Sequence, residues 1–360
     1  MKKIVENTIE YAWKIHYKKK YSNYLKETIK EPIKEIPEEV TAKEVNKVWG
    51  KYCHVDPRWA QYYYTMNGIA SPNYVSSEVW FGKICRILNQ RKRYPYPMLQ
   101  DKNYLDLLFS DLVETPNVLL RNINGQLLNN QFYPVSENEA IKWLCDTQTE
   151  VVIKPSVESK GGRAVAFVSH IGDNEQFYNQ LFKTIHNNKD YVVQNVVTQH
   201  SAMAKLNPNS INTIRILTLL WNEKVYLLGA LVRIGVKGIR VDNPHTSNGV
   251  SCALDENGKM IKTAYDRDWY PHVKLPNGIV FEGYQVPYYS DLINTAKRLH
   301  YKTPHTRVVG WDMTVTEDGR PILIEANLDT PEIYFHQIGT GPIFNKSGLL
   351  DEVMSYVINN

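Results

Sequence analysis

The chain has 360 residues, 43% of them hydrophobic and 22% charged, which is the composition of an ordinary soluble protein long enough for two or three packed domains. Its formal net charge of +4 has a local origin, because residues 1–20 carry six lysines against two glutamates and the remainder is formally neutral. The body of the chain therefore has no basic stripe to track a nucleic-acid backbone, and no apolar run approaches the ~18 residues of a membrane span.

The opening "MKKIVENTIEYAWKIHYKKK" places Val5, Ile9, Ala12, Trp13 and Tyr17 at helical spacing among lysines. Such a helix either packs on its own domain or makes weak contact with an anionic membrane surface. It lacks the continuous apolar stretch of a secretory signal. Cys53, Cys85, Cys145 and Cys252 lie far apart with no CxxC pair, so reduced thiols in a cytoplasmic protein are expected, not a zinc site. Residues 1 to about 100 read as mainly helical, broken at Pro32 and Pro37 and ending in a linker or turn at "RYPYPM".

Beyond residue 100 the pattern changes to short strands mixed with helices. "TEVVIKPS" and "RAVAFVS" flank a Gly-Gly loop, "EQFYNQLFKTI" has helical spacing, and "DYVVQNVV" reads as a strand. "NTIRILTLLW", "KVYLLGALVRIG" and "VSCALDENGKMI" form a strand meander, and "YYSDLINTAKRLHY" a helix. Meanders mixed with helices, without strict βαβ alternation, predict an α+β fold.

The last strand pair carries the sharpest signal. In "GWDMTVTEDGRPILIEAN" the Asp318-Gly319 dipeptide predicts a two-residue hairpin loop. Counting outward, Val315 opposes Ile322, Met313 opposes Ile324, and Asp312 opposes Glu325. Met313, Val315, Ile322 and Ile324 then share an apolar face, while Asp312, Glu325 and Asn327 share the other. Opposed like charges destabilise a sheet, so this oxygen-rich spot calls for a hard cation such as magnesium. Otherwise it is a solvated acidic hairpin.

Elsewhere, Lys154 ends an apolar strand before a loop holding Gly161 and Gly162. Glycines allow backbone N–H groups to approach phosphate oxygens, and the lysine supplies a point charge. A glycine-tipped hairpin with a surface lysine has the same pattern. Arg215 and Arg233 stand inside apolar strands, where each either pairs with a buried acid or meets a phosphoryl group or substrate carboxylate. Asp242 and Asn243 suit a turn on structural grounds alone.

Taken in order, these segments resemble the ATP-grasp superfamily, and within it the group associated with sugar transfer in surface-polysaccharide clusters. The resemblance spans residues from about 95 to 340 and rests on "LQDKNYLDLLF", "VVIKPSVESKGGRAV", "LNPNSINTIRILT", "VRIGVKGIRVDN", "FEGYQVP" and the closing hairpin. It implies two α+β subdomains, 101–197 and 198–360, gripping ATP, after the helical region 1–100. It implies phosphate binding by Lys102 and Lys154, and a mobile loop from Ser156 through Gly161 and Gly162. Adenine would be read along Gln194, Val196 and Val197, with Asn212 also at the nucleotide. Arg215 would contact the transferred phosphoryl group, and Arg233 and Lys154 are expected with it as catalytic residues. Asp312, Glu325 and Asn327 would hold Mg²⁺, with Mn²⁺ as substitute. "TSNGV" stands where relatives have a double-glycine loop, so the acceptor side departs from the pattern. The implied activity is a ligase joining a carboxylate to an amine on a small-molecule or sugar-linked substrate; a kinase or a non-catalytic nucleotide-binding module are the alternatives. Residues 269–278, "WYPHVKLPNG", are expected as an acceptor-side loop.

Overall fold

The computed structural model describes residues 35–89, 96–147, 149–157, 164–169, 183, 190–236, 238–242 and 249–360. The basic N-terminal helix, most of the helix expected in "EQFYNQLFKTI", Gly161, Gly162 and Asn243 lie outside these residues.

The smaller sheet begins with a hairpin of β1 (Val118–Ile123) and β2 (Gln126–Asn129). Asn124 and Gly125 both take positive φ in its turn, as an Asn-Gly loop requires. With β3 (Val151–Pro155), β4 (Ala166–Val168) and β5 (Tyr191–Asn195) the order is β2-β1-β5-β3-β4. Helix Glu137–Asp146 starts at a Ser136–Glu139 capping box. Its Ala140 and Leu144 bury against Leu120, Val151, Tyr191 and Val193.

The larger sheet contains β6 (Ile214–Trp221), β7 (Lys224–Ile234), β8 (Val250–Leu254), β9 (Met260–Asp266), β10 (Pro271–His272), β11 (Val308–Val315) and β12 (Pro321–Asn327). Their order is β10-β9-β8-β7-β6-β11-β12. On one face Ile214, Ile216, Val232, Trp311 and Met313 pack with Leu292, Ala296 and Leu299 of helix Tyr289–His300. Leu217, Leu219, Leu231 and Ala253 bury the opposite face. The α+β character expected from the strand meander is present.

The helical region expected over 1–100 does not stand apart. Trp49, Trp59, Tyr63, Trp80 and Leu88 share one core with Leu217, Leu219, Phe335 and Val357 of the larger sheet and its C-terminal helices. Nor does residue 101 begin a purely small-sheet unit, because Phe109 packs edge-on against Trp311. The linker or turn expected at "RYPYPM" includes the start of a short helix, Tyr96–Gln100.

The closing hairpin also differs in detail. Its loop is three residues, Glu317, Asp318 and Gly319, because Thr316 pairs with Arg320: Thr316 N donates to Arg320 O (3.0 Å), and Thr316 Oγ1 accepts from Arg320 N (3.0 Å). Gly319 takes φ +86°, the left-handed position of a three-residue loop. Val315 therefore opposes Pro321 and Met313 opposes Leu323, one residue off the expected register. A bulge below Met313 then restores Asp312 opposite Glu325. The correction changes the faces. Leu323 joins Met313 and Val315 in the core, while Ile324 turns with Glu325 into a cavity.

The N-terminal helices brace the segments behind that cavity through Asn89, at the end of the helical stretch 77–88. Its Nδ2 donates to Val308 O (2.7 Å) and Leu328 O (2.9 Å), and its Oδ1 accepts from Val308 N (3.0 Å). Asn89→Ala strands these buried backbone groups, so we expect a loss of roughly 2–3 kcal/mol. Urea unfolding should show it as a lower midpoint at unchanged slope.

Candidate functional site

A cavity of about 670 Å³ lies between the sheets, with walls from Val152, Lys154 and Phe167 on one side and Arg215, Asp312 and Glu325 on the other. That size suits a small-molecule ligand. Its floor follows from register. Arg215 on β6 is directly opposite Asp312 on β11, which is directly opposite Glu325 on β12, so the three side chains form a line across adjacent strands. Arg233 extends the line onto β7, two residues from Leu231, the partner of Arg215.

The line is held by hydrogen bonds. Arg215 grips Asp312 with two donors, Nε to Oδ1 and Nη2 to Oδ2 (2.6 Å). Arg233 Nη1 reaches the same Oδ2 at 3.4 Å, and Asn327 Nδ2 at 3.3 Å. Burial opposes ionisation of Asp312, but Arg215 and Arg233 outweigh it and hold the carboxyl below its usual range. Gly310 makes room for this pair, since a Cβ there would stand 3.3 Å from Arg215 Cδ and 3.2 Å from Pro331 Cβ.

The two lysines come from the small-sheet side. Lys102 is buried, ties its N–H to Ser156 O (2.9 Å), and places Nζ 3.1 Å from Glu325 Oε1. Lys154 lines the same cavity. Burial first, and Lys102 second, push its pKa down to about 8 against the pull of Glu325 and Asp242. Opposite them, Asp242 lines the wall and accepts from Thr213 N (2.9 Å) and Thr213 Oγ1. Burial raises its pKa despite the attraction of Arg233.

The structure thus brings Lys102, Lys154, Val196, Val197, Arg215, Arg233, Asp312, Glu325 and Asn327 to one cavity. Three expected residues stand behind it instead. Ser156 is buried and acts through its carbonyl on Lys102. Gln194 is buried in β5 between Val118 and Val152, and the wall starts one residue later at Asn195. Asn212 is fully buried; its Nδ2 donates to Met203 O (2.8 Å) and Asn207 O (2.9 Å), so it braces the loop before β6. The expected acceptor loop 269–278 is not part of the cavity wall. Trp269 packs on Phe335, Tyr334 and Tyr62, and His272 Nε2 pairs with Asp266 Oδ2 at 3.0 Å. Asp242, Thr213 and Arg240 are the neighbours that sequence reasoning undervalued. For Asp242 and Arg240 the signal was "RVDN", which follows the strand bearing Arg233 after five intervening residues.

The premise that only a metal could stabilise the paired acids is also corrected, because Arg215, Arg233 and Lys102 already supply counter-charge. Among the described residues no group of His, Cys, Asp and Glu side chains forms a metal cage. The donor chemistry still fits a hard cation carried with a ligand. Glu325 Oε2 and Asn327 Oδ1 accept no hydrogen bond among the described residues, and both are oxygens. Asp312, by contrast, is largely committed to Arg215, Arg233 and Asn327, with three of its four donors on Oδ2 and one on Oδ1.

Among known families, the one described as sugar-transfer associated ATP-grasp matches residues 84–353. No curated protein matches. Solved structures similar to this chain include D-alanyl-alanine synthetase A from Vibrio cholerae, 13% identical with TM-score 0.41, covering 73% of this chain and 66% of that one. VanG D-Ala:D-Ser ligase from Enterococcus faecalis is 12% identical with TM-score 0.44, covering 72% and 62%. A biotin carboxylase–β,γ-ATP complex from Campylobacter jejuni is 10% identical with TM-score 0.44, covering 73% and 47%. The chain therefore spans less than two-thirds of the length of some of these proteins.

Lys154 makes the cavity's electrostatics measurable. Its ordinary pKa is 10.5 and its folded value about 8. Across that window the folded side chain is neutral while the unfolded one still holds its proton, so stability rises with pH. Below it both are charged and the cost of burying the ammonium is fully expressed. Lys154→Met should be the more stable form near pH 7, with the gap closing near pH 10. Urea unfolding at stepped pH checks this; a gap independent of pH would show that Lys154 titrates normally.

Proposed function

The chain belongs to the sugar-transfer associated ATP-grasp family, and from that premise we propose an ATP-dependent ligase that joins a carboxylate to an amine. The substrate we infer is a sugar or surface-polysaccharide precursor, modified with an amino acid or amine. The observation that carries this reading is the convergence of Lys102, Lys154, Arg215 and Arg233 on one cavity with Glu325 and Asn327. Few other arrangements need so much positive charge beside available hard oxygens.

In the proposed reaction a carboxylate oxygen attacks the γ-phosphorus as the bond to the bridging oxygen breaks and ADP leaves. The amine then attacks the carbonyl carbon, phosphate departs, and the nitrogen gives up a proton. Such chemistry needs little protein acid–base help and much charge stabilisation. Lys102 and Lys154 bind and orient the phosphates from the small-sheet wall. Arg215 and Arg233, fixed by Asp312, present guanidinium groups to the transferring phosphoryl and the substrate carboxylate. Glu325 and Asn327 would hold Mg²⁺, or Mn²⁺ in its place, which supplies further neutralisation of phosphate charge. Apolar Val152, Phe167, Val197 and Leu328 line the cavity wall and suit a nucleobase.

Losing one stabilising contact of this kind costs about 3–4 kcal/mol of transition-state stabilisation, or about 10²–10³ in rate. Lys154→Ala and Glu325→Gln should lower ATP turnover by about that factor while keeping the wild-type fold by circular dichroism. The assay pairs phosphate release with product mass, using Mg-ATP against uronic acids and amino acids. An amide product with free phosphate supports the ligase; a phosphorylated acceptor identifies a kinase, and full turnover in either variant refutes the site.

A further inference from the structure

We propose that Arg240 is a positioning residue that clasps the two walls of the cavity by holding the root of the β3–β4 hairpin. The proposal rests on the reading of this cavity as the nucleotide site. Arg240 belongs to the segment after β7, on the larger-sheet side, yet among the described residues its side chain binds Glu150 and Phe167 of the small-sheet side. Nη2 donates to Glu150 Oε2 (2.6 Å), Nη1 donates to Glu150 Oε1, and the guanidinium carbon lies 3.8 Å from the centroid of the Phe167 ring. A planar guanidinium meets a carboxylate with two parallel donors and stacks flat on an aromatic face, whereas an ammonium is a point charge without the fork.

The positions of those partners give the clasp its meaning. Glu150 directly precedes β3 and Ser169 directly follows β4, and Ser169 Oγ donates to Glu150 Oε1 (2.5 Å). Register runs from Val151 opposite Val168 to Ile153 opposite Ala166. Arg240 therefore holds the open end of this hairpin, and Lys154 stands toward its other end. Two residues along, Asp242 ties the same segment to the start of β6 through Thr213 N (2.9 Å) and Thr213 Oγ1. The short run 240–242 thus bridges the larger sheet to the hairpin that carries Lys154, and Arg240, Phe167 and Asp242 all line the cavity.

A second bridge joins the walls at the lysine end, Lys102 to Glu325 at 3.1 Å. That bridge uses groups the proposed reaction needs for phosphate and cation. The Arg240–Glu150 bridge uses neither, so it can stay closed with nucleotide in place. Its expected effect is on residence time and on where Lys154 is held, because affinity at a fixed site is tuned mostly through dissociation.

The test measures release of Mg-bound N-methylanthraniloyl-ADP by stopped flow, chased with unlabelled ADP, on the full chain. Arg240→Ala and Glu150→Ala should each speed release about tenfold, with the double variant no faster than either single one. Arg240→Lys, which keeps charge but loses the fork and the ring contact, should fall between wild type and Arg240→Ala. KM for ATP should rise by a similar factor while kcat changes less, a split that general destabilisation would not give. Wild-type release rates in Arg240→Ala, or effects of the two single substitutions that multiply in the double variant, overturn the clasp. Failure of the wild type to bind the labelled nucleotide overturns the nucleotide reading and the clasp with it.

Discussion

The ion pair between Arg215 and Asp312 is the constraint on which the cavity depends. Both side chains are about 5% exposed, and burying two charges is expensive unless every donor and acceptor is satisfied. Here the cost is offset by two bonds from Arg215, one from Arg233 and one from Asn327. Because Arg215, Asp312 and Glu325 are direct cross-strand partners, satisfying Asp312 also fixes the register of β6, β11 and β12. A one-residue slip would turn the whole line to the opposite face, into the core formed by Ile214, Ile216 and Met313.

The surrounding groups adjust to guanidinium charges that cannot be given up. Burial raises the pKa of Glu332 even with Arg233 and Arg215 nearby, and its Oε1 accepts from Phe335 N (2.9 Å). Burial, followed by Arg215 and Arg233, pushes His336 down to about 3, so this fully buried ring stays neutral. It also stands where a Cβ on Gly229 would come within 2.8 Å of Nδ1, which explains the glycine in the middle of β7. Trp80 Nε1 donates to Pro331 O (2.7 Å), so the N-terminal helices clamp the segment between Asn327 and these residues. The helical region thus buttresses the site without entering it.

Much of this was legible because strand and helix patterns are local. Alternating apolar residues located β6 to β9, and helical spacing located Tyr289–His300. The facing of Asp312 and Glu325 was also read correctly, but through a register that holds only below the bulge. Thr316 selects the longer loop by bonding Arg320, and that choice depends on hydroxyl geometry that an Asp-Gly signal does not encode. Arg215 as the second neighbour of Asp312 was hidden for a different reason. Ninety-odd residues separate them, and strand order in a sheet is a non-local fact. Gln194 lies beside the cavity in sequence but behind it in space, because one strand shows only alternate residues to each side. Ser156 and Asn212 lie just outside β3 and β6, where Ser156 is buried and Asn212 is tied to Met203 O and Asn207 O. The aromatic loop 269–278 misled in the same way: its tryptophan stabilises a core.

The committed and uncommitted charges divide the work of the cavity. Arg215 commits Nε and Nη2 to Asp312, and Asp312 takes further donors from Arg233 and Asn327. Asp242 is oriented by Thr213, and Arg240 by Glu150. What can exchange partners is Lys102 with Glu325, a pair whose carboxylate is about one-third exposed, together with Lys154, whose pKa is lowered by burial first and by the neighbouring Lys102 second. An anionic ligand would therefore find its first partners in the lysines. Drawing Lys102 away would leave Glu325 facing Asp312 across the strands, which is where like charges cost most. In the proposed reaction, a cation arriving with the ligand would relieve that repulsion. Under the proposed ligase reading, a metal would thus be called for by the loaded cavity, because the acids otherwise find counter-charge in Arg215, Arg233 and Lys102.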